Sequence, residues 1–219
     1  MVLKNFIVFE GIDGSGTTTQ LKLLKAKCPT IALTAEPTAS ATGQLLRRVL
    51  SGEVDVSKQT VAHLFAADRC EHLFGKSTFH EGRLDTGVAE ACAAGSLVVS
   101  DRYLFSSLAY QGEATVRDLT AQLNEPFPLP EALVYFAISP QAALERVASR
   151  GLKREIYETL STLKEVSRRY DELLTEYTLT PKGEGMSVIK VDAALPIQEV
   201  AATVWQAVSP FLGPHQIPL

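Results

Sequence analysis

Gly11 and Gly16 bracket Ile12, Asp13, Gly14 and Ser15, and Thr17, Thr18 and Thr19 follow directly. Glycine at both ends lets a tight turn take unusual backbone angles and brings amide hydrogens close to an oxyanion. A helix starting behind such a turn adds the positive end of its dipole. The stretch therefore reads as a cradle for phosphates, formed by Gly11 through Thr19. A hydroxyl at Thr18 suits a hard divalent cation, Mg2+, travelling with those phosphates. One position breaks the pattern. Lysine is asked for after Gly16, and this chain has Thr17, which removes a positive charge aimed at the outer phosphates.

Other residues fit the same chemistry. Asp101 ends an apolar strand, where a carboxylate can organise metal-bound water. Arginine suits planar, bidentate phosphate contact, and Arg102 stands next to Asp101. Moving a phosphoryl group needs positioning and charge neutralisation more than a covalent protein group, so no nucleophilic side chain is expected. His63 and His72 do not share a helix face, and no metal is assigned to them. Cys28, Cys70 and Cys92 are isolated and lack metal-ligand spacing, so they read as reduced thiols.

These residues need a scaffold that alternates strands and helices. Phe6–Glu10 is an apolar run before the glycine turn, and Leu21–Lys25 continues it with helical spacing. Further strands are expected over Thr30–Thr34, Leu97–Ser100, Ala132–Ile138 and Ser187–Val191. Helices are expected over Thr42–Leu50, from an N-cap at Ser57 to Leu73, over Arg83–Ala94, from Tyr103 toward Gly112, over Val116–Leu123, Pro140–Arg150, around Leu163–Leu174, and over Ile197–Leu212. Pro126, Pro128 and Pro130 read as a surface loop. The order implies a five-stranded parallel sheet flanked by helices. A chain of 219 residues, 46% hydrophobic, can fill one such α/β domain. Its net charge of −4 argues against a nucleic-acid or membrane surface. No apolar run spans a bilayer and no signal peptide is read, so a cytoplasmic protein is expected.

Three stretches then read together: Phe9–Gly16, Leu64–Arg69, and Asp101–Gly112 with its Ala-Tyr-Gln-Gly ending. In combination they resemble the thymidylate kinases among the P-loop nucleoside monophosphate kinases. The resemblance runs from the first strand to the last helix. It implies a P-loop NTPase fold with a short lid at about 150–158. It also implies transfer of the ATP γ-phosphate to dTMP, giving dTDP for dTTP synthesis, with Mg2+, in a homodimer.

The resemblance implies roles by position. Asp13 would meet the acceptor sugar or the metal shell. Phe65 would stack on thymine, a contact worth about 1–3 kcal/mol, and Arg69 would bond the base edge. Arg102 would hold the acceptor phosphate. Ser107 and Gln111 would face the base, and Tyr110 the deoxyribose. Thr18, and Asp101 through water, would serve the metal. Arg150, Lys153 and Arg154 would form the cationic lid, with Asp13, Arg102, Arg150 and Arg154 as the catalytic set. Phe65 alone reads as core; beside Asp68 and Arg69 it reads as a stacking face. Apart from the resemblance, Asp68 reads as a partner for Arg69 or another arginine that holds the helix.

The chain departs from the family pattern at Thr17, at Ala35 before Glu36-Pro37, and at Ala137 and Ser139 after the fourth strand. Gly14 stands where one subgroup has an arginine, so the lid-arginine arrangement is expected. Two other readings stay open: a nucleotide-binding homologue with weak catalysis, and a kinase for another pyrimidine monophosphate such as dUMP.

Overall fold

In the computed structural model, which describes residues 1–75, 86–149, 157 and 159–213, the chain is organised about β1 (Val2–Glu10). Phe6, Ile7, Val8 and Phe9 are fully buried, as a strand covered on both faces requires. The glycine turn follows, then α1 (Thr17–Lys27) and β2 (Ala32–Ala35). Next come α2 (Ala41–Leu50), α3 (Lys58–Phe74), α4 (Val88–Ala93) and β3 (Val98–Asp101). The second half holds α5 (Leu104–Tyr110), α6 (Arg117–Asn124), β4 (Leu129–Ala137) and α7 (Pro140–Ser149). It ends with α8 (Leu160–Leu179), β5 (Ser187–Asp192) and α9 (Ile197–Val208). The strands pair in parallel in the order β2-β3-β1-β4-β5. The order reverses beside β1, which opens a crevice at the carboxyl ends of β1 and β3.

Several local expectations hold. The Ser57 hydroxyl caps α3 by accepting from the Thr60 amide at 3.1 Å. Gly52 follows α2 in a left-handed conformation. Of the apolar residues expected on this helix, Val61 and Leu73 are buried, Leu64 and Phe65 are half-buried, and Cys70 is exposed.

Others are corrected. Pro130 lies inside β4 and is buried rather than in a surface loop. The pairing of β1 with β4 shifts register between Leu3 and Ile7, and such an irregularity tolerates a residue without an amide. Asn5, at φ 61°, gives its amide to the Glu131 carboxylate at 2.7 Å across that gap. The last helix stops at Val208, and a 3-10 turn takes over at Ser209–Phe211, because Pro210 has no amide to continue the ladder. The helix expected from Arg83 begins at Val88; its first expected residues lie outside the described ones. So does the lid segment with Arg150, Lys153 and Arg154. Among the described residues, no helix is long and apolar enough to cross a membrane.

Two buried carboxylates tie the elements that frame the crevice. Among the described residues, Asp68 on α3 pairs with no arginine. It accepts instead from the Thr38 amide at 2.8 Å and from the hydroxyls of Thr38, Ser40 and Thr42. The turn before α2 is thereby fixed to α3. Glu10, at the end of β1, is fully buried. Its Oε1 accepts from the amides of Tyr103 and Ser106 at 2.9 and 3.1 Å. Its Oε2 accepts from the Ser106 hydroxyl at 2.6 Å and the Tyr170 hydroxyl at 2.8 Å. The helix α5 has no side-chain cap of its own; the carboxylate from β1 takes that place. Burial outweighs these donors and the nearby Arg102, and pushes the Glu10 carboxyl up to about 7.

Replacing Asp68 with Ala leaves a buried amide and three hydroxyls without their acceptor. Urea unfolding should show a loss of about 2–4 kcal/mol, partly recovered by Asp68→Asn. Glu10 gives a pH signature of the opposite kind to a salt-bridged acid. Its pKa is raised from 4.5 to about 7 on folding, so its stabilising share is complete below pH 4.5 and is lost as pH rises through about 7. The loss is on the order of 3 kcal/mol. Stability measured from pH 4.5 to 8 should fall less steeply in Glu10→Gln than in the unaltered chain.

Candidate functional site

The glycine turn leaves β1 and forms the mouth of the crevice. Gly14 and Gly16 have φ of 91° and 96°, a region that disfavours any side chain. A Cβ at Gly14 would also stand 2.3 Å from the Ala143 carbonyl oxygen on α7. No side chain caps the start of α1, so its first amides, from Thr17 onward, are open toward an anion. Thr17 is itself buried.

Beside the turn, the Thr18 hydroxyl donates to Asp101 Oδ2 at 2.6 Å. Parallel pairing of Phe9 with Asp101 brings the two strand ends level. The other oxygen, Asp101 Oδ1, is buried without a hydrogen-bond partner. A hydroxyl and a carboxylate with one unsatisfied oxygen are hard donors that fit Mg2+. Among the described residues, no group of three or more His, Cys, Asp or Glu side chains is placed to hold a metal alone. A cation here would therefore take its remaining ligands from water and phosphate.

Facing the turn is a cavity of about 330 Å³. At its inner end Asp13 accepts from Arg102 Nη2 at 2.6 Å and from the Tyr110 hydroxyl at 2.9 Å. The Asp13 amide returns a bond to the Tyr110 oxygen at 3.0 Å. Arg102 has φ of 72°, uncommon for a side-chain residue. Its amide reaches the Phe9 carbonyl at 2.9 Å and its carbonyl accepts from the Ser100 hydroxyl at 2.7 Å. Burial works against the Arg102 charge, but the oxygens of Tyr110, Asp13 and Asp101 outweigh it and hold the guanidinium protonated. Burial, with Asp13 alongside, pushes the Tyr110 phenol far above its ordinary range. The Tyr110 ring lies under Arg102 at 5.2 Å and meets the Tyr157 ring edge-on at 5.5 Å.

The far end of the cavity is built on Arg69. Its guanidinium is fully buried and forks to Glu36 at 2.6 Å, to Ser107 at 3.1 Å, and to the Asn124 side-chain oxygen. Glu36 also meets His72 Nδ1 at 2.9 Å, and His72 in turn contacts the Thr34 hydroxyl. Arg69 Nε remains buried and unpartnered, as do both amide atoms of Gln111. Phe65 is only partly buried, stands outside the central core, and lines the cavity. The cavity thus offers an aromatic face, buried hydrogen-bonding groups and an inner cation, the makings of a nucleotide site.

The structure brings together Asp13, Thr18, Phe65, Arg69, Asp101, Arg102, Ser107, Tyr110 and Gln111 around this cavity. The remaining turn residues, Gly11 to Thr19, stand beside it. The lid cations fall outside the described residues. Sequence reasoning noticed the Glu36-Pro37 pair without a role for Glu36, and it missed Asn124, which fixes Arg69 with Glu36, and His72, which holds Glu36. It also missed Arg47 of α2, which lines the same cavity and donates to the Pro37 carbonyl. The apolar spacing on α2 located that helix but gave no sign of which arginine turned inward. The departures lie nearby: Ala35 also lines the cavity, while Ala137 ends β4.

The sequence is similar to those of known proteins. The family described as thymidylate kinase matches residues 9–204. A protein of Treponema pallidum (strain Nichols) named "Putative thymidylate kinase" is 39% identical over 203 residues, covering 91% of this chain and 92% of its own length. A "Probable thymidylate kinase" of Methanococcus aeolicus is 37% identical over 191 residues, 87% of this chain and 89% of its own. A "Thymidylate kinase" of Leptospira interrogans serogroup Icterohaemorrhagiae is 35% identical over 186 residues, 81% and 85% respectively. With the phosphate turn, the Asp101–Arg102 strand end and the Arg69 pocket all inside the matched span, the chain belongs to the thymidylate kinase family.

Proposed function

We propose that this chain transfers the γ-phosphate of ATP to dTMP, giving dTDP and ADP. The observation that carries the reading is the junction of two half-sites at the carboxyl ends of β1 and β3. A phosphate turn with the Thr18–Asp101 pair meets a cavity that has a cation inside and a hydrogen-bonding aromatic pocket beyond. ATP phosphates would lie on the amides from Gly11 to Thr19. Mg2+ would be held by Thr18, with Asp101 through water, and would neutralise charge between the outer phosphates. Arg102, clamped by Asp13, would take the acceptor phosphate. Thymine would stack on Phe65, with Arg69, Ser107 and Gln111 at its edge. Arg69 and Gln111 line the cavity and carry buried atoms without partners, which supports this reading. A base that fails to pair with them leaves those atoms unsatisfied, which is a strong basis for discrimination. Tyr110, pinned to Asp13, would close the space a 2′-hydroxyl needs.

No step requires a covalent intermediate; positioning and charge supply the rate. The charge missing at Thr17 would come from Lys153 and Arg154 in the lid, with Arg150 beside them. We further read the enzyme as a cytoplasmic homodimer.

A coupled ADP-release assay with ATP and Mg2+ should show turnover with dTMP far above that with dUMP or dGMP. Binding of dTMP without turnover would overturn the kinase reading. Replacing Lys153 and Arg154 together with Ala should lower kcat by two to three orders of magnitude, about 3–4 kcal/mol of transition-state stabilisation. Full turnover in that variant would exclude the lid as the substitute for the lysine.

A further inference from the structure

We propose that Glu10 is a positioning residue that sets the Arg102 guanidinium through Ser106, and so tunes recognition of the acceptor's phosphate. The inference rests on the reading of Arg102 as the group that meets that phosphate. Glu10 itself is sealed from solvent and does not line the cavity. Its influence runs through one hydroxyl. Ser106 Oγ stands 2.6 Å from Glu10 Oε2 and 2.9 Å from Arg102 Nη1.

The hydrogen count fixes the direction. Arg102 has only donors, so Ser106 must accept from it. A serine has a single proton, and once Glu10 is ionised, above about pH 7, its carboxylate takes that proton. The Tyr170 hydroxyl, 3.0 Å from Ser106, is also directed at Glu10, at 2.8 Å. The carboxylate therefore draws both hydroxyl protons and leaves the Ser106 lone pairs facing the guanidinium. An amide at position 10 would put a donor among these donors. The hydroxyls would have to turn, and a Ser106 proton turned outward would oppose Arg102.

The other half of the Arg102 fork is held by Asp13 at 2.6 Å. Losing the Ser106 half leaves the guanidinium a single tether, about which it can swing. The same carboxylate accepts the Tyr103 and Ser106 amides at the start of α5. Any variant at Glu10 therefore also disturbs the helix, whereas Ser106→Ala leaves those two amide bonds in place.

The test is calorimetric binding of dTMP and of thymidine, which differ by the phosphate, to Glu10→Gln, Ser106→Ala, the double variant and Arg102→Ala. A hydrogen bond to a charged group sets the scale at about tenfold. Glu10→Gln and Ser106→Ala should each weaken dTMP about tenfold and leave thymidine within about twofold. A general loss of structure would weaken both ligands. The double variant should resemble the single ones, because both changes break one chain of contacts. The inference is overturned if Arg102→Ala selectively weakens dTMP while Ser106→Ala does not, or if the double variant multiplies the two effects. If Glu10→Gln does not fold, Ser106→Ala decides alone. An Arg102→Ala protein that keeps the dTMP-to-thymidine ratio would overturn the reading of Arg102 itself, whatever the other variants do.

Discussion

A carboxylate without water organises this molecule. Glu10 closes the central strand at the point where the chain turns into the phosphate loop, and burial makes its charge unfavourable. Four donors converge on it, from the start of α5 and from α8. The three elements that must agree on the position of Arg102 and Tyr110 are joined there. An apolar residue in its place would remove the desolvation penalty, yet it would leave the two amides at the start of α5 without an acceptor and the hydroxyls of Ser106 and Tyr170 with only each other to donate to. The arrangement sacrifices some stability for a fixed geometry next to the chemistry, a recurrent feature of functional sites.

The far end of the cavity follows the same rule with opposite charge. Arg69 is fully buried, and Glu36 stands against it as a near-fully buried counter-charge. A guanidinium in that setting cannot wander, because Asn124, Glu36 and Ser107 each take one direction of its fork. His72 holds Glu36 from behind. Asp68 fixes the turn after Glu36-Pro37 to the same helix that carries Arg69. The pocket is therefore built before a ligand arrives, and the unpartnered atoms left in it define what a ligand must offer.

Much of this was legible in the sequence, for identifiable reasons. Buried parallel strands read as unbroken apolar runs, and Phe6–Phe9 is such a run. The glycine turn announces itself by spacing, and Thr18 by its place after it. What stayed hidden was pairing between distant positions. Glu10 was read as a strand end, because nothing local to it reveals Tyr170, 160 positions away. His72 looked like a scattered histidine until β2 brought Thr34 and Glu36 against it. Asp68 was expected to meet an arginine, since charge is visible in a sequence and a cluster of three hydroxyls across a turn is not. Pro130 misled for the opposite reason: its loop signal was sound, but a shifted register made room for it in a strand.

The glycine at position 14 explains why the loop carries no arginine of its own. Its backbone is left-handed, and a Cβ there would collide with the Ala143 carbonyl. Ala143 lies on α7, which packs against α8 and leads in sequence into the 150–158 segment. A side chain at position 14 would push the loop away from α7. Close contact between the loop and α7 thus leaves no room for a side chain at position 14. On the acceptor side the cations are already committed: Arg69 to Glu36, Arg102 to Asp13, and Arg47 to the Pro37 carbonyl. Those ties orient each guanidinium toward the cavity and limit its reach toward the donor. These ties keep the three guanidiniums on the acceptor side, so they do not replace the charge absent at Thr17.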